Sequence, residues 1–309
     1  MTGQRRSVGV VGSGLVASRV TMHLAAAGVA TRTARPDALH LLDECPVVVL
    51  AGPSPHAALV DVLARENRTI VSAGDDLEDV MTLVDRDRLL VDRGTTLVAG
   101  AAASPGMTGL LVRWARDRFD DIDEVHVAAH GTGGPACARQ HHRALAGMSV
   151  GWHDGSWLQR PAGSGRELCW FPDPIGPRDC YRHASPEPVL VQRAFPELRR
   201  ITARVSATRR DRLTARLPMM SPPHPEGGLG ALRVEVRGTR DGARVVEVLG
   251  VVERAATIAG TVAAQTALVL LDAPANPGVL ACGEDAFPST EVTSRILATG
   301  TVLHEFVGT

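Results

Sequence analysis

The sequence contains no lysine, since all 33 of its basic residues are arginine. This absence excludes Schiff-base chemistry and a lysine general base. Aromatic residues make up only 3% of the 309 residues, and there is a single tyrosine. The sequence therefore offers no lysine and no obvious tyrosine as a catalytic acid.

The chain also lacks a strong net charge and a paired cysteine motif. Its net charge of −1 gives it no general attraction for nucleic acid or an anionic membrane, so we expect neither as a partner. Its five scattered cysteines include no CxxC pair, which favours a reducing cytosol over a disulfide framework. The N-terminus has no apolar signal segment, and polar residues interrupt the longest apolar run, 255–271. We therefore expect a cytoplasmic protein that acts on a small molecule, with segment 255–271 as a buried helix.

The first 30 residues have the pattern of a dinucleotide-binding unit. An apolar strand over 7–11 is followed by a glycine-rich turn and a helix, and Gly12, Gly14 and Ala17 occupy the positions of a GxGxxA motif. The glycines allow a tight turn and a close approach of the backbone to a pyrophosphate, which the helix N-terminus would bind. The alternative is a purely structural turn between strand and helix. The residues predicted to contact the cofactor here are Gly12, Ser13, Gly14, Leu15 and Val16.

The next strand region indicates which dinucleotide is bound. An NAD-binding domain usually carries an acid about 20 residues after the first glycine. Here there is no acid before Asp37, whereas Arg32, Thr33 and Arg35 could hold a 2′-phosphate. We therefore predict NADP as cofactor in preference to NAD. The alternative is that these arginines are solvated surface residues.

Strands and helices then alternate, and each strand is a nearly continuous apolar run, as in "PVVVLAGP" at 46–53. This pattern is typical of a parallel sheet covered on both faces, which binds ligands beyond the carboxyl ends of its strands. Further predicted cofactor contacts at these ends are Gly52, Pro53 and Gly74.

From Asp123 onwards the signals are those of antiparallel strands. Segment 231–253 forms two runs around Asp241-Gly242, a strong hairpin signal, and segment 199–218 adds two strand-like runs. The predicted fold class is α/β, with an N-terminal Rossmann-like parallel sheet and a second α+β domain that contains a largely antiparallel sheet. The predicted units are a dinucleotide-binding domain at 1–122, a substrate and dimerisation domain at 123–254, and C-terminal helices and a strand at 255–309 that pack back on the first domain.

The segment "GTGGPACARQHHRALAG" at 131–147 follows the first strand of the predicted second domain, which places it near the cleft between domains. Pro135 suits the first position of a helix. On that helix two arginines lie four residues apart near the N-terminus, where they could bind a substrate carboxylate or phosphate. The predicted substrate-binding residues are Arg139, Arg143 and His130. The alternative is a solvent-facing or salt-bridged helix.

The same segment offers two adjacent histidines, His141 and His142, and imidazole titrates near neutral pH. We predict that one of them is the catalytic proton donor, the alternative being a capping or surface histidine. Cys137 and His141 have a spacing compatible with zinc, but the sequence shows no second pair of ligands. We therefore expect no metal site.

Several motifs, in order, resemble the saccharopine dehydrogenase family of NAD(P)-dependent oxidoreductases. They are "GVVGSGLVAS", "VVVLAGPSPHAALV", "TIVSAGDD", "TTLVAGAAASPGMTGLL", "GWHDGSW" and "ELCWFPDPIGPRDCY". The resemblance implies a dinucleotide-binding domain, followed by an α+β domain that shapes the substrate pocket and mediates self-association, hence a homodimer. Better-known members form or cleave a C–N bond between amino acids and oxo acids through an imine. Ser104 stands where relatives often have an acid before Pro-Gly.

The predicted function is therefore an NADP-dependent oxidoreductase acting on a small carboxylate-bearing imine or carbonyl of the amino-acid and oxo-acid type. One alternative is a dinucleotide-binding protein without turnover, serving as a redox sensor or assembly subunit. Another is a structural homologue that has lost the dinucleotide and works through its dimer surface.

Overall fold

A computed structural model describes residues 6–219 and 222–308, and its framework is two β-sheets. The first sheet is parallel and six-stranded, in the order β14-β5-β4-β3-β1-β2. Its strands are β1 (Ser7–Val11), β2 (Ala30–Ala34), β3 (Val47–Leu50), β4 (Arg68–Ser72), β5 (Thr95–Ala99) and β14 (Gly278–Ala281). Because the chain moves to one side after β1 and to the other side from β3 onwards, a crevice opens between the carboxyl ends of β1 and β3.

The second sheet is mixed but mostly antiparallel. Its main path is β15-β13-β12-β6-β11-β10-β9, with β7 pairing to both β11 and β8. Only β6 and β11 run parallel among the described pairings. Its strands are β6 (Asp121–His130), β7 (Met148–His153), β8 (Ser156–Pro161), β9 (Glu167–Trp170), β10 (Pro177–Arg182), β11 (Arg200–Ser206), β12 (Leu229–Arg240), β13 (Ala243–Arg254) and β15 (Leu303–Gly308). The predicted fold class is confirmed.

Ten α-helices and one 3₁₀ helix, Leu39–Leu42, lie within the described residues. The helices are α1 (Leu15–Ala26), α2 (Ala57–Leu63), α3 (Leu77–Val84), α4 (Asp87–Asp92), α5 (Met107–Arg116), α6 (Pro135–Ala144), α7 (Glu187–Ala194), α8 (Arg209–Thr214), α9 (Ala255–Asp272) and α10 (Ser289–Ala298).

Helix α9 is the centre of the core. By length and composition alone it could cross a membrane, but 78% of it is buried within the protein. It packs on α1, on β3 and β4 of the first sheet and on β12 and β13 of the second. One apolar cluster consequently runs from the first sheet through α9 to the second. The predicted buried helix is thus confirmed, and it fixes the two sheets against each other.

Local turn chemistry accounts for one confirmed prediction and one wrong one. The hairpin is confirmed, since β12 and β13 pair from Arg240–Ala243 outward around Asp241-Gly242. The second strand-like run of segment 199–218 is instead helix α8. Thr208 accepts a hydrogen bond from the Asp211 N–H, and the Asp211 carboxylate accepts one from the Thr208 N–H. This capping box starts a helix where the apolar alternation alone suggests a strand.

At two places the observed strands do not follow the boundaries of the predicted units, 1–122, 123–254 and 255–309. The limit at residue 122 falls inside β6, whose first residue is Asp121. The C-terminal segment is divided between the sheets, because β14 pairs with β5 whereas β15 pairs with β13. The division of the chain into domains stays a prediction.

Candidate functional site

The glycine-rich turn after β1 places the N-terminus of α1 in front of open space. Gly12 has φ +134°, and a Cβ there would lie 2.9 Å from the Gly52 nitrogen, so only glycine lets β1 approach β3 this closely. Gly14 is the N-cap of α1 and, as a glycine, has no side chain that could cap the helix. A Cβ at Gly14 would have no heavy atom within 4 Å. The first amides of α1 therefore face a space that an anion can occupy.

This space is part of a cleft of about 470 Å³ between the two sheets. It extends from the Gly12–Gly14 turn past the carboxyl end of β3 to α6. Ten of the residues predicted from sequence line it: Gly12, Ser13, Gly14, Leu15, Val16, Gly52, Pro53, His130, His141 and Arg143. The tertiary fold therefore brings the predicted cofactor turn and the 131–147 segment to one cleft.

Three other predicted residues lie close by without lining the cleft within the described chain. The Nε2 atom of His142 is buried 3.0 Å from the Thr214 carbonyl oxygen, which ties α6 to the end of α8. Arg139 is exposed on α6, one turn before Arg143. Gly74 is buried next to the cleft. A Cβ at this position would lie 3.1 Å from Ser54 Oγ and 3.2 Å from His56 Nδ1. Of the two predicted histidines, the structure presents His141 to the cleft.

The residues predicted to select NADP lie on β2 and just beyond it. Arg32 is in the strand and pairs with Glu44, with 2.6 Å between Nη2 and Oε2. Thr33 is exposed on the same strand. Arg35 follows the carboxyl end of β2 and is largely exposed, 3.6 Å from Asp37. The neighbouring Pro36 lines the cleft, which makes Arg35 the arginine best placed to reach a ligand there.

A cluster of three polar side chains, Asp75, Cys137 and His141, lies in the wall of the cleft. The His141 Nε2 atom is 3.6 Å from Asp75 Oδ2 and 3.7 Å from Cys137 Sγ. Cys137 Sγ is 3.8 Å from Asp75 Oδ2. Cys137 and His141 face the same way because they are one helical turn apart on α6. Asp75 comes from the loop after β4, so the cluster joins α6 to the first sheet.

The sequence interpretation missed Asp75 as a site residue. Its signal was its position just beyond β4, at the edge where a parallel sheet binds ligands. Nothing in the sequence showed that this position would meet Cys137 and His141, which are 62 and 66 residues away along the chain.

The electrostatics of the cluster favour a charged His141. Burial disfavours its imidazolium form, but the neighbouring Cys137 and Asp75 outweigh this effect and raise the pKa of His141 well above its usual value. His183 lies behind it, with ring centroids 6.3 Å apart. Burial, followed by repulsion from His141, lowers the pKa of His183 to about 3, so His183 is neutral beside its charged neighbour.

Buried hydrogen bonds hold the strand ends that form the floor of the cleft. His56 contacts the Ser72 hydroxyl at 2.8 Å through Nδ1 and the Gly52 carbonyl at 3.0 Å through Nε2. The Asp79 carboxylate accepts hydrogen bonds from the backbone N–H groups of His56 and Ala57. Burial lowers the pKa of His56, which keeps the ring neutral. This network links the ends of β3 and β4 to the start of α2.

Glu187 is a second acid that the sequence interpretation missed, and unlike Asp75 it is fully buried. Its carboxylate accepts hydrogen bonds of 2.5 Å from Ser104, which lines the cleft, and from Thr108 on α5. Burial raises the pKa of Glu187 to about 7, although both hydrogen bonds oppose the shift. Ser104 stands where the family resemblance leads one to expect an acid, and in this chain an acid lies directly behind it.

Comparisons with known proteins place the fold. No protein-family model matches the chain, and no curated protein matches it significantly in sequence. Solved structures match over nearly the whole chain. Apo saccharopine dehydrogenase (L-Glu forming) from Saccharomyces cerevisiae is similar with a TM-score of 0.66 and 13% identity, covering 98% of this chain and 100% of that one.

Two further structures match with lower scores. DAP dehydrogenase from C. glutamicum, in complex with DAP, has a TM-score of 0.53 and 11% identity, covering 96% of this chain and 99% of that one. An engineered D-amino acid dehydrogenase bound to NADP⁺ has a TM-score of 0.51 and 11% identity, covering 93% and 95%. The resemblance to saccharopine dehydrogenase predicted from sequence is thus confirmed as a likeness of fold.

The raised pKa of Glu187 makes stability depend on pH in a defined direction. Between its ordinary pKa of 4.5 and about 7, the folded protein keeps a proton that the unfolded chain has released. The stabilisation is complete below pH 4.5 and is lost as the pH rises through about 7. From pH 4.5 to about pH 7.5 we expect the unfolding free energy of the wild type to fall by about 3 kcal/mol relative to Glu187→Gln, measured by urea titration.

The exposed residue Glu78 provides the matched control for this measurement. The Glu78→Gln variant should follow the wild type across the same pH range. Parallel stability curves for the wild type and Glu187→Gln would contradict the prediction.

Proposed function

We propose that the protein is an NADP-dependent oxidoreductase that acts on a small carboxylate-bearing imine or carbonyl of the amino-acid and oxo-acid type. The observation that supports this proposal most strongly is the shared cleft. A glycine turn suited to a pyrophosphate and the polar Asp75–Cys137–His141 cluster line the same space. A cofactor whose pyrophosphate lies at α1 would extend its reactive ring along the strand ends towards the cluster.

The proposed reaction is a hydride transfer. A bound NADPH would supply the hydride for the carbon of a C=O or C=N bond, whose oxygen or nitrogen would gain a proton; the products would be NADP⁺ and the alcohol or amine. The protein's part is to position the cofactor and to polarise the double bond. We assign the polarising role to the Asp75–Cys137–His141 cluster, because it brings a carboxylate, a thiol and an imidazole together in the wall of the cleft.

Arg143 is the residue that we assign to the substrate carboxylate. It lines the cleft one turn beyond Arg139, and its guanidinium donates a 2.7 Å hydrogen bond to Gln140 Oε1. Gln140 in turn donates a 2.5 Å hydrogen bond to Asp76 Oδ2. Arg143 is thus oriented by a residue that is anchored to the first sheet, which favours a defined position for a bound carboxylate.

Two further features of the protein belong to the same proposal. All five cysteines are free, which supports a cytoplasmic location.

We also propose a homodimer, because large apolar side chains are exposed on the outer strands of the second sheet. These are Trp157, Leu158, Leu168 and Trp170.

The first test measures cofactor binding and turnover together. The wild type should bind NADPH in a calorimetric titration and oxidise it in the presence of an oxo acid and an amine donor. Gly14→Val should abolish binding, because its side chain would fill the space in front of α1. It should fold normally, since Gly14 has φ −84° and no heavy atom lies within 4 Å of its Cβ position.

Two results would contradict parts of this proposal. Binding without turnover by any amino-acid and oxo-acid pair would favour a binding protein over an enzyme. Unchanged NADPH binding by a folded Gly14→Val variant would mean that the turn is only structural.

The second test concerns cofactor choice. NADPH should bind more tightly than NADH, and Arg35→Asp should remove or reverse the preference by placing a negative charge beside the 2′-phosphate. Arg32→Ala should change it much less, because Arg32 already pairs with Glu44. Equal affinities of the wild type for the two cofactors, measured by calorimetry, would exclude the NADP assignment.

The third test compares the two arginines of α6. Loss of a charge-assisted contact costs about 1.5–3 kcal/mol, so Arg143→Ala should raise the KM for the oxo acid roughly ten- to a hundredfold. NADPH affinity should stay unchanged. Arg139→Ala is the matched control, since both arginines are exposed on α6 but only Arg143 lines the cleft. Equal effects of the two substitutions would argue against a specific carboxylate contact.

A further inference from the structure

In the Asp75–Cys137–His141 cluster, the imidazole and the carboxylate are farther apart than a direct hydrogen bond allows. An N–H···O hydrogen bond spans about 2.7–3.2 Å, whereas His141 Nε2 and Asp75 Oδ2 are 3.6 Å apart. The two distances that involve Cys137 Sγ are 3.7 and 3.8 Å. The three atoms therefore form a nearly equilateral triangle. Its two sulfur sides are within reach of weak sulfur hydrogen bonds, whereas its N···O side is too long for a direct hydrogen bond.

A triangle of this size is what three ligands around one small ion produce. Zinc binds nitrogen and oxygen at about 2.0–2.2 Å and sulfur at about 2.3 Å, so tetrahedral ligands lie roughly 3.3–3.7 Å from one another. The observed separations of 3.6–3.8 Å are close to this range. Only a small inward movement of the side chains would complete the coordination.

The donor set also selects the kind of ion. Magnesium and calcium prefer sites made entirely of oxygen, whereas a thiolate, an imidazole and a carboxylate together suit zinc. The ligands come from two rigid places, since Cys137 and His141 are one turn apart on α6 and Asp75 follows β4. An ion at this point would join α6 to the first sheet.

We propose that Asp75, Cys137 and His141 bind a zinc ion, with the fourth coordination position open to the cleft. Among the described residues no fourth ligand completes the group, and all three members line the cleft. Three protein ligands and one open position are the arrangement of catalytic zinc sites.

Binding of the ion is independent of the oxidoreductase activity, but its role rests on the proposed function. An ion in this position would polarise the substrate's carbonyl or imine bond while the hydride is transferred. His141 would then act as a ligand, so the proton that completes the reduction would come from water in the cleft.

The direct experiment is a calorimetric titration of the chelator-treated full-length protein with Zn²⁺. The wild type should bind one ion per chain, and Cys137→Ala, His141→Ala and Asp75→Asn should each weaken binding roughly a hundredfold or more. His153→Ala is the control, because His153 is a half-exposed histidine in the β7–β8 hairpin. Unchanged zinc affinity in folded Cys137→Ala would overturn the proposal.

A second measurement uses the wild type and so does not depend on whether the variants fold. Cys137 is partly exposed, whereas the other four cysteines are buried. Zn²⁺ should therefore protect Cys137 from alkylation by iodoacetamide, as measured by mass spectrometry of the peptide that contains it. Equal labelling rates with and without Zn²⁺ would overturn the site.

The two proposals fail in different ways. Zinc binding without NADPH turnover would support the metal site and contradict the oxidoreductase function. Full turnover by protein that binds no zinc would overturn the metal site and leave the oxidoreductase function intact.

Discussion

The contact between α6 and the loop after β4 is what closes the cleft. Gln140 reaches across to Asp76, the N-cap of α3, while Cys137 and His141 meet Asp75 one residue earlier. All of these side chains stand on one face of a ten-residue helix, and their partners follow a strand buried in the first sheet. This contact joins α6 to the first sheet through polar side chains. Asp75, Cys137, Gln140 and His141 all line the cleft, so the contact forms one part of its wall.

Several ionisable side chains in and around the cleft are buried, and burial controls their protonation states. A buried polar group is costly unless it has partners, and a buried charge is costlier still. Glu187 meets this constraint by holding a proton, His183 by remaining neutral, and His141 by sharing its charge with two neighbours. An arrangement in which neighbouring groups have displaced pKa values in opposite directions is typical of functional sites. The same burial also means that the site contributes to the pH dependence of stability.

The two sheets act as one body because α9 is apolar on nearly all sides. Most of its residues from Ala256 to Leu270 are buried, and small residues such as Gly260 allow α1 to approach closely. A Cβ at Gly260 would lie 2.3 Å from the Cβ of Arg19. Since α1 begins at the glycine turn, the packing of α9 also determines where that turn lies relative to the second sheet.

Local structure and the class of fold follow from the amino-acid sequence alone. The glycine turn, the apolar strands, Pro135 at the start of α6 and the Asp241-Gly242 hairpin all follow from backbone preferences within a few residues, and the structure has each of them. At Thr208 two local signals compete. The alternating apolar pattern predicts a strand, but the capping box starts a helix there. Which side chains meet depends instead on the folded chain. Asp75 joined Cys137 and His141, Glu187 lay behind Ser104, and His142 turned away from the cleft, because contacts across 62 or more residues depend on how whole elements pack. No local sequence pattern specifies how whole elements pack. The Asp75–Cys137–His141 cluster, which has no sequence motif, can therefore be identified only in the folded chain.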